Sequence, residues 1–244
     1  MKSVWDRRIA RAEELAGKCG PAAELLSLYA RLASLQREIF DNLTSRPQAD
    51  PLAVLPYFPR LLSLAAHYGP SSIVDFPDNE LETLLIAHWN HEPSADERAR
   101  FVARALLQPF AEALAGRGTA AVDTSSGICP FCGARPLAAV LRGEGDGGKR
   151  SLVCSLCATE WEFRRILCAS CGEEHKDSLP VYIAPEFDYI RVEACDSCKS
   201  YLKCIDLTRN GLAIAPADEI ASVALNVWAE ENGYAKIEPN LLGL

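Results

Sequence analysis

Apolar residues recur every three or four positions along the first half of the chain. In the segment 22–43, Leu25, Leu28, Leu32, Leu35 and Ile39 fall on one helical face. Ala-, Arg-, Glu- and Leu-rich sequence predicts a helix from Trp5 to Cys19, and Pro21 opens the one after it. A further segment runs from Pro51 to Gly69-Pro70, where Pro56 and Pro59 must kink or split it. Helices over 78–89 and 94–115 follow. The last opens on Ser94-Ala-Asp-Glu97, a capping-box pattern, and closes on Gly116-Arg-Gly118. About five antiparallel helices thus form a helical domain over residues 1–123, without recognisable chemistry.

The pattern changes at Thr124-Ser-Ser-Gly127. Strand-length runs appear at 137–142, 150–153, 161–167, 179–184, 189–192 and 201–207, bounded by turn residues. The run Gly143-Glu-Gly-Asp-Gly-Gly148 predicts a long hairpin tip. Pro216-Ala-Asp218 starts a last helix, with Ile220, Val223, Ala224, Val227 and Trp228 on one face, stopping at Asn232-Gly233. The fold class is α+β. A helical domain precedes two tandem rubredoxin-like or zinc-ribbon β modules over 124–166 and 167–210. A C-terminal helix and tail over 211–244 pack back on the body.

The strands lie among cysteines. Eight of the ten cysteines form four Cys-x-x-Cys units: Cys129/Cys132, Cys154/Cys157, Cys168/Cys171 and Cys195/Cys198, separated by 21, 10 and 23 residues. Two residues between thiolates let the backbone turn around one metal ion, and a second unit about 20 residues on completes a tetrahedral site. Gly133 and Gly172 follow the first and third units and suit the positive φ of such a turn; Ala158 and Lys199 follow the other two. That alternation looks like a repeat and favours sequential pairing of units over a cross-braced one. Four thiolates suit zinc, and equally a single iron. Each structural site contributes ~10–16 kcal/mol of apparent binding free energy, so residues 126–208 should unfold without metal. Reactive dithiols fit four strand-flanked copies poorly.

Other candidates are weaker. Phe131 and Trp161 belong to the small core of the ribbon, or shield a redox centre. Cys204 alternates with Leu202 as a small buried hydrophobe, and Cys19 has no partner at ligand spacing. His88 and His91 are expected to cap a helix end or to be solvated, and His175 to lie in a surface turn. No Ser-His-Asp, phosphate-loop or dinucleotide pattern appears, so no catalytic residue is named and an enzyme is not expected.

Charge narrows the partners. The chain has 244 residues with 25 basic and 33 acidic side chains, a net charge of −8. Residues 126–208 hold 10 basic against 12 acidic side chains, and metal-bound thiolates make that block more negative. Phosphate is repelled, and basic residues gather only in small groups such as Arg164-Arg165 and Lys199/Lys203, so nucleic acid is not an expected partner. No apolar run of roughly 20 residues predicts membrane insertion, and no apolar segment behind the N-terminal charges marks a secretory signal. A cytoplasmic, reducing setting follows, in which paired cysteines are metal ligands before they are disulfides.

At these motifs the sequence resembles the formate dehydrogenase accessory protein family FdhE. The resemblance rests on Cys129-Pro-Phe-Cys132-Gly133, Cys154-Ser-Leu-Cys157-Ala-Thr-Glu-Trp161, Cys168-Ala-Ser-Cys171 and Glu193-Ala-Cys195-Asp-Ser-Cys198-Lys-Ser-Tyr201-Leu-Lys203. The tail from Asp218 through Trp228 to Gly233-Tyr234 and Pro239-Asn240 is also similar. It implies a cytoplasmic assembly factor needed for active formate dehydrogenase that contacts the catalytic subunit, with the eight ribbon cysteines holding two metal ions, zinc or iron. A homodimer stays open as its assembly state. Thr159-Glu-Trp161 and Tyr201-Leu-Lys203 either pack their knuckles or shape a client-facing surface. A rubredoxin-like iron electron carrier is the alternative reading, and a zinc-ribbon nucleic-acid binder a weaker one.

Overall fold

Helix α1 (Val4–Ala16) begins with a reciprocal cap at Ser3. In the computed structural model the Asp6 N–H donates to the Ser3 hydroxyl and the Ser3 N–H to the Asp6 carboxylate, both at 2.9 Å. The structure describes residues 3–45, 50–69, 76–94, 96–117, 125–144 and 147–244. The change of character expected at Thr124 lies outside them. Helices α2 (Ala23–Ser45), α3 (Phe58–Tyr68), α4 (Leu81–Trp89) and α5 (Glu97–Ala115) complete the helical half. The proline-rich segment is split: Pro51–Tyr57 is a 3₁₀ stretch, and Pro59 occupies the first turn of α3, where its missing N–H costs nothing. The cap of α5 is Asp96 and not Ser94. Its carboxylate accepts from the N–H groups of Arg98 and Ala99 and places negative charge at the positive end of the helix.

Leu32 and Ile39 of α2 are buried in one core with Leu106, Leu107 and Phe110 of α5. Arg8 of α1 pairs bidentately with Glu112 of α5 at 2.8 and 3.2 Å, so these two charges, one from each helix, neutralise each other between them.

The second half is a mixed sheet of β1 (Pro136–Glu144), β2 (Gly147–Cys154), β3 (Glu160–Glu162), β4 (Val181–Ile183), β5 (Ile190–Ala194), β6 (Ser200–Asp206) and β7 (Ala235–Lys236). The order is β3-β2-β1-β6-β5-β4, with β7 also on β6. Each ribbon is antiparallel within itself. The two are fused by a parallel pair, Ala139↔Cys204 through Leu141↔Asp206, into one continuous sheet. The expected long hairpin tip is corrected. Pairing continues to Glu144↔Gly147, because Gly143 and Gly148 lie in the ladder; residues 145–146 are outside the described set. The strand expected over 161–167 stops at Glu162. Beyond it the chain leaves the sheet, and the Arg150 guanidinium holds the departing Arg164 carbonyl at 3.0 Å.

The last helix is two. Ser222 (φ −97°, ψ 31°) separates α6 (Ala215–Ala221) from α7 (Val223–Glu231), its hydroxyl donating back to the carbonyls of Asp218 and Glu219. The break rotates the buried face. Leu225, Asn226 and Ala229 point inward, whereas Ala224 and Val227, expected inside, are exposed. Leu225 and Ala229 share a core with Val140, Val192, Tyr201 and Ile205 on one sheet face; Leu141, Leu152 and Leu202 on the other belong to the core that includes the helical half.

Candidate metal centres

The sulfurs of Cys129, Cys132, Cys154 and Cys157 lie within 4.8 Å of one another, and those of Cys168, Cys171, Cys195 and Cys198 do the same. The pairing in space is sequential. Across the first cluster Cys129 meets Cys157 at 3.5 Å and Cys132 meets Cys154 at 3.4 Å. Across the second, Cys168–Cys198 and Cys171–Cys195 are each 3.7 Å. Ligands about 2.3 Å from a tetrahedral centre stand about 3.8 Å apart, so both sulfur sets have the spacing of a four-thiolate site. None of the eight is in a disulfide, and the donor set fits zinc or iron.

Local backbone produces this convergence. The residue after each unit has positive φ: Gly133 at 79°, Ala158 at 53°, Gly172 at 77° and Lys199 at 55°. The four knuckles therefore share one conformation, with glycine in two and strain accepted in the other two. In each, the N–H of the first cysteine donates to the carbonyl five residues on (Ala134, Thr159, Glu173, Ser200), at 2.9 Å. Backbone N–H groups of Leu156 and Cys157 point at the Cys154 sulfur, and that of Ser170 at Cys168; these bonds favour thiolate, but the neighbouring cysteines push Cys154 up and burial pushes Cys168 up, above the usual thiol range.

The clusters differ in access. In the first, Cys129, Cys154 and Cys157 are buried and Cys132 is half-buried; in the second, Cys171 is exposed. Hydrogen bonds, first from Cys132, hold Cys129 far below the usual thiol range. Burial opposes ionisation of Cys198, yet hydrogen bonds from Ser200 and neighbouring cysteines hold it at about 6. Burial pushes the lone Cys204 well above the usual value, in keeping with a packed, inert thiol. Trp161 is buried and its indole N–H donates to the Ser126 carbonyl at 3.0 Å.

His91 corrects one expectation. It is neither a cap nor merely solvated: its ring Nε2 hydrogen-bonds the Cys132 carbonyl at 2.6 Å, tying the end of α4 to the first knuckle. Of the two readings of Thr159-Glu-Trp161 and Tyr201-Leu-Lys203, packing holds for all but Glu160, which is exposed. Trp161, Tyr201, Leu202 and Lys203 are buried, and the Thr159 hydroxyl accepts from the Cys157 thiol at 3.0 Å. These residues pack the knuckles. His175 is exposed, as expected of a surface turn.

Comparison with known proteins agrees with the cysteine geometry. Residues 128–165 match the family model "FdhE, central domain" and residues 166–242 match "FdhE, C-terminal domain". A protein FdhE homolog of Aquifex aeolicus is 34% identical over 198 residues, covering 78% of this chain and 70% of that one. The chain belongs to the FdhE family. The Salmonella arizonae protein FdhE is 29% identical over 274 residues, covering 98% of this chain and 88% of that one. The fold extends the likeness over the helical half. The crystal structure of the FdhE protein from Pseudomonas aeruginosa superposes with a TM-score of 0.75 at 27% identity, covering 98% of this chain and 95% of that one.

Beneath the FdhE clusters lies a buried charge network that spacing alone did not reveal. Lys203, expected as part of a basic surface group, is fully buried. Its Nζ reaches the Glu219 carboxylate at 2.7 Å and the Glu219 and Ser222 carbonyls freed at the helix break. Lys236 and Asn240 also donate to Glu219. Despite burial, the two lysines hold Glu219 down at about 2; burial pulls Lys203 down to about 8 against the attraction of Glu219. Beside it, Arg11 of α1 donates to Asp218 at 2.6 and 3.0 Å, and Tyr189 donates to the same carboxylate at 2.8 Å. Asp218 and Glu219 thus link α6 to α1, β6 and β7. The only trace of this in the sequence is an acidic pair inside an otherwise apolar helix.

Proposed function

We propose that this chain is a cytoplasmic assembly factor for formate dehydrogenase that engages the catalytic subunit through its metal-holding half. Cys129, Cys132, Cys154 and Cys157 hold one metal ion, and Cys168, Cys171, Cys195 and Cys198 a second. The observation that carries this reading is the pair of tetrahedrally spaced four-cysteine clusters fused in one sheet, in a chain of the FdhE family. The boundaries proposed are residues 1–123 for the helical domain, 124–166 and 167–210 for the ribbons, and 211–244 for the closing helices and tail. Among the described residues no helix is long and apolar enough to cross a membrane.

The metals act through shape in this reading. Each locks two Cys-x-x-Cys turns of one ribbon together, and the locked sheet presents a fixed surface to the client. The test is affinity capture of the metal-loaded chain with the dehydrogenase catalytic subunit, alongside deletion of its gene. Co-capture lost on Cys→Ser change in either cluster, with loss of formate dehydrogenase activity in the deletion strain, is expected. A deletion strain with full activity, together with no association, overturns it.

A second reading is favoured by one observation, the exposure of Cys171. A rubredoxin-like iron centre with an exposed ligand exchanges electrons at that edge. Elemental analysis and visible absorbance of protein purified without oxygen decide: iron with reversible bleaching on reduction supports it, and zinc removes it.

A further inference from the structure

Helix α4 closes in an uncommon way. The N–H of Glu92 donates to the Ala87 carbonyl at 2.9 Å, and that of His91 to the His88 carbonyl at 3.1 Å. These are the paired bonds of a Schellman turn, whose left-handed position is most often filled by glycine, which has no β-carbon to clash. Here that position holds His91, at φ 60°.

Its side chain reaches across to the first knuckle. Nε2 of the imidazole donates to the Cys132 carbonyl at 2.6 Å. That carbonyl belongs to the peptide whose N–H, on Gly133, donates to the Cys129 carbonyl at 3.0 Å and closes the knuckle. One peptide plane is thus held on both sides, by Cys129 within the knuckle and by His91 from outside. The ring lies against Gly133, where a β-carbon would stand 3.0 Å from Nε2. Behind His91, Trp89 meets Phe110 of α5 edge-on at 5.1 Å, and Phe110 is buried in the helical core. The imidazole is therefore presented from a fixed support.

The second ribbon supplies the contrast. Gly172 has the same backbone conformation, φ 77°, and donates to the Cys168 carbonyl at 3.0 Å. A β-carbon on Gly172 would meet nothing within 4 Å, so the space that His91 fills on the first knuckle is open on the second. The ligand that receives the bond also matters. Cys132 is half-buried where Cys129, Cys154 and Cys157 are buried, which makes it the sulfur of the first cluster most open to water and to a competing chelator.

We propose that His91 is a positioning residue for the first metal centre, locking Cys132 in its ligating orientation and so slowing the loss of that metal. This rests on the reading that Cys129, Cys132, Cys154 and Cys157 hold a metal ion. A carbonyl only accepts, so the ring supplies the hydrogen at Nε2. Groups that orient a metal ligand from outside the coordination shell change metal affinity by about 10- to 100-fold when they are removed. The helical half supplies no ligand itself; through His91 it acts on the metal.

Full-length protein loaded with cadmium tests this, because each four-sulfur site gives its own cadmium nuclear resonance. The resonance lost in C171S marks the second site. The parent, H91G and H91Q are then compared while a chelator withdraws the metal. H91G suits the left-handed turn and removes the ring, so its first-site resonance should shift and decay about tenfold faster, with the second site unchanged. The melting temperature of loaded H91G should be no lower than the parent's, which separates loss of positioning from loss of stability. H91Q carries an amide N–H the same number of bonds from the backbone and should restore slow release. First-site release at the parent rate in H91G, or equal acceleration of both sites, overturns the proposal and leaves the metal reading intact. A parent chain that takes up no cadmium overturns both.

Discussion

Gly127 lies flat against the backbone of Ala169, so close that a β-carbon on residue 127 would stand 1.9 Å from the Ala169 carbonyl oxygen. Gly127 leads into the first knuckle, and Ala169 sits between Cys168 and Cys171 of the second cluster. The two metal centres therefore abut through bare backbone. G127A is expected to cost about 1–3 kcal/mol, as overpacking does, and to loosen the second knuckle. Thermal unfolding of the loaded protein and the rate of metal loss to a chelator measure both. An unchanged melting temperature would show that the knuckles yield freely.

Removal of metal should unfold the sheet. Each cluster pins two turns of its ribbon, and a four-thiolate site supplies ~10–16 kcal/mol of apparent free energy. Hydrogen exchange after chelation should show loss of protection across β1–β6. The second site should exchange its metal first, because Cys171 is exposed whereas three of the first four ligands are buried. C171S should release one metal ion per chain and leave the first site loaded.

Acid should destabilise the protein through Glu219. Its folded value near 2 lies below the ordinary 4.5, so it contributes stability that is present above about pH 4.5 and is lost as pH falls towards 2. That contribution is on the order of 3 kcal/mol. Lys203 has the opposite consequence. With its folded value near 8, its burial costs stability at neutral pH, and the cost fades as pH rises from 8 to its ordinary 10.5. E219Q should lower stability at pH 7 by about 3–5 kcal/mol, since Lys203 and Lys236 lose their buried counter-ion. It should also flatten the dependence between pH 5 and 3, where comparison with the parent cancels any acid loss of metal. Denaturant unfolding across that range provides the check.

Two knuckles carry strain that glycine would relieve. Ala158 and Lys199 hold a left-handed conformation costing L-residues about 1–2 kcal/mol, more than the entropy glycine loses on folding. A158G and K199G should each stabilise by about 0.5–1 kcal/mol. For Lys199 part of the gain is offset, because its Nζ binds Asp196 at 2.6 Å on the surface. A loss of stability in A158G would mean the turn is held by contacts of the methyl group.

The cysteine spacing was sufficient to foresee both clusters and their pairing, because a four-thiolate site needs only two turns and a return at the right distance. Strand positions were legible for the same reason: the runs between knuckles are short and bounded. What spacing cannot report is partnership between remote residues. The parallel β1–β6 pair joins Ala139 to Cys204 across 65 positions, and neither strand has a pattern that names the other. The break at Ser222 was hidden because the group that takes up the carbonyls there is Lys203, a cation that looks like a surface residue until Glu219 is placed beside it. The Asp96 cap was missed for a smaller reason: Ser94 and Asp96 both lie ahead of the helix, and only the backbone decides which one turns inward.

The parallel pair also sets an order of events during synthesis. The four cysteines of the first cluster have all emerged by residue 157, before any ligand of the second cluster, so the first centre can load while β1 still has an open edge. That edge is closed only when β6 arrives, some 60 residues later, and β6 is itself completed by β7 near the end of the sheet. Long-range strand pairing of this kind folds slowly. A nascent chain thus passes through a state with one centre filled and a β-edge bare, and the second centre is what ends it.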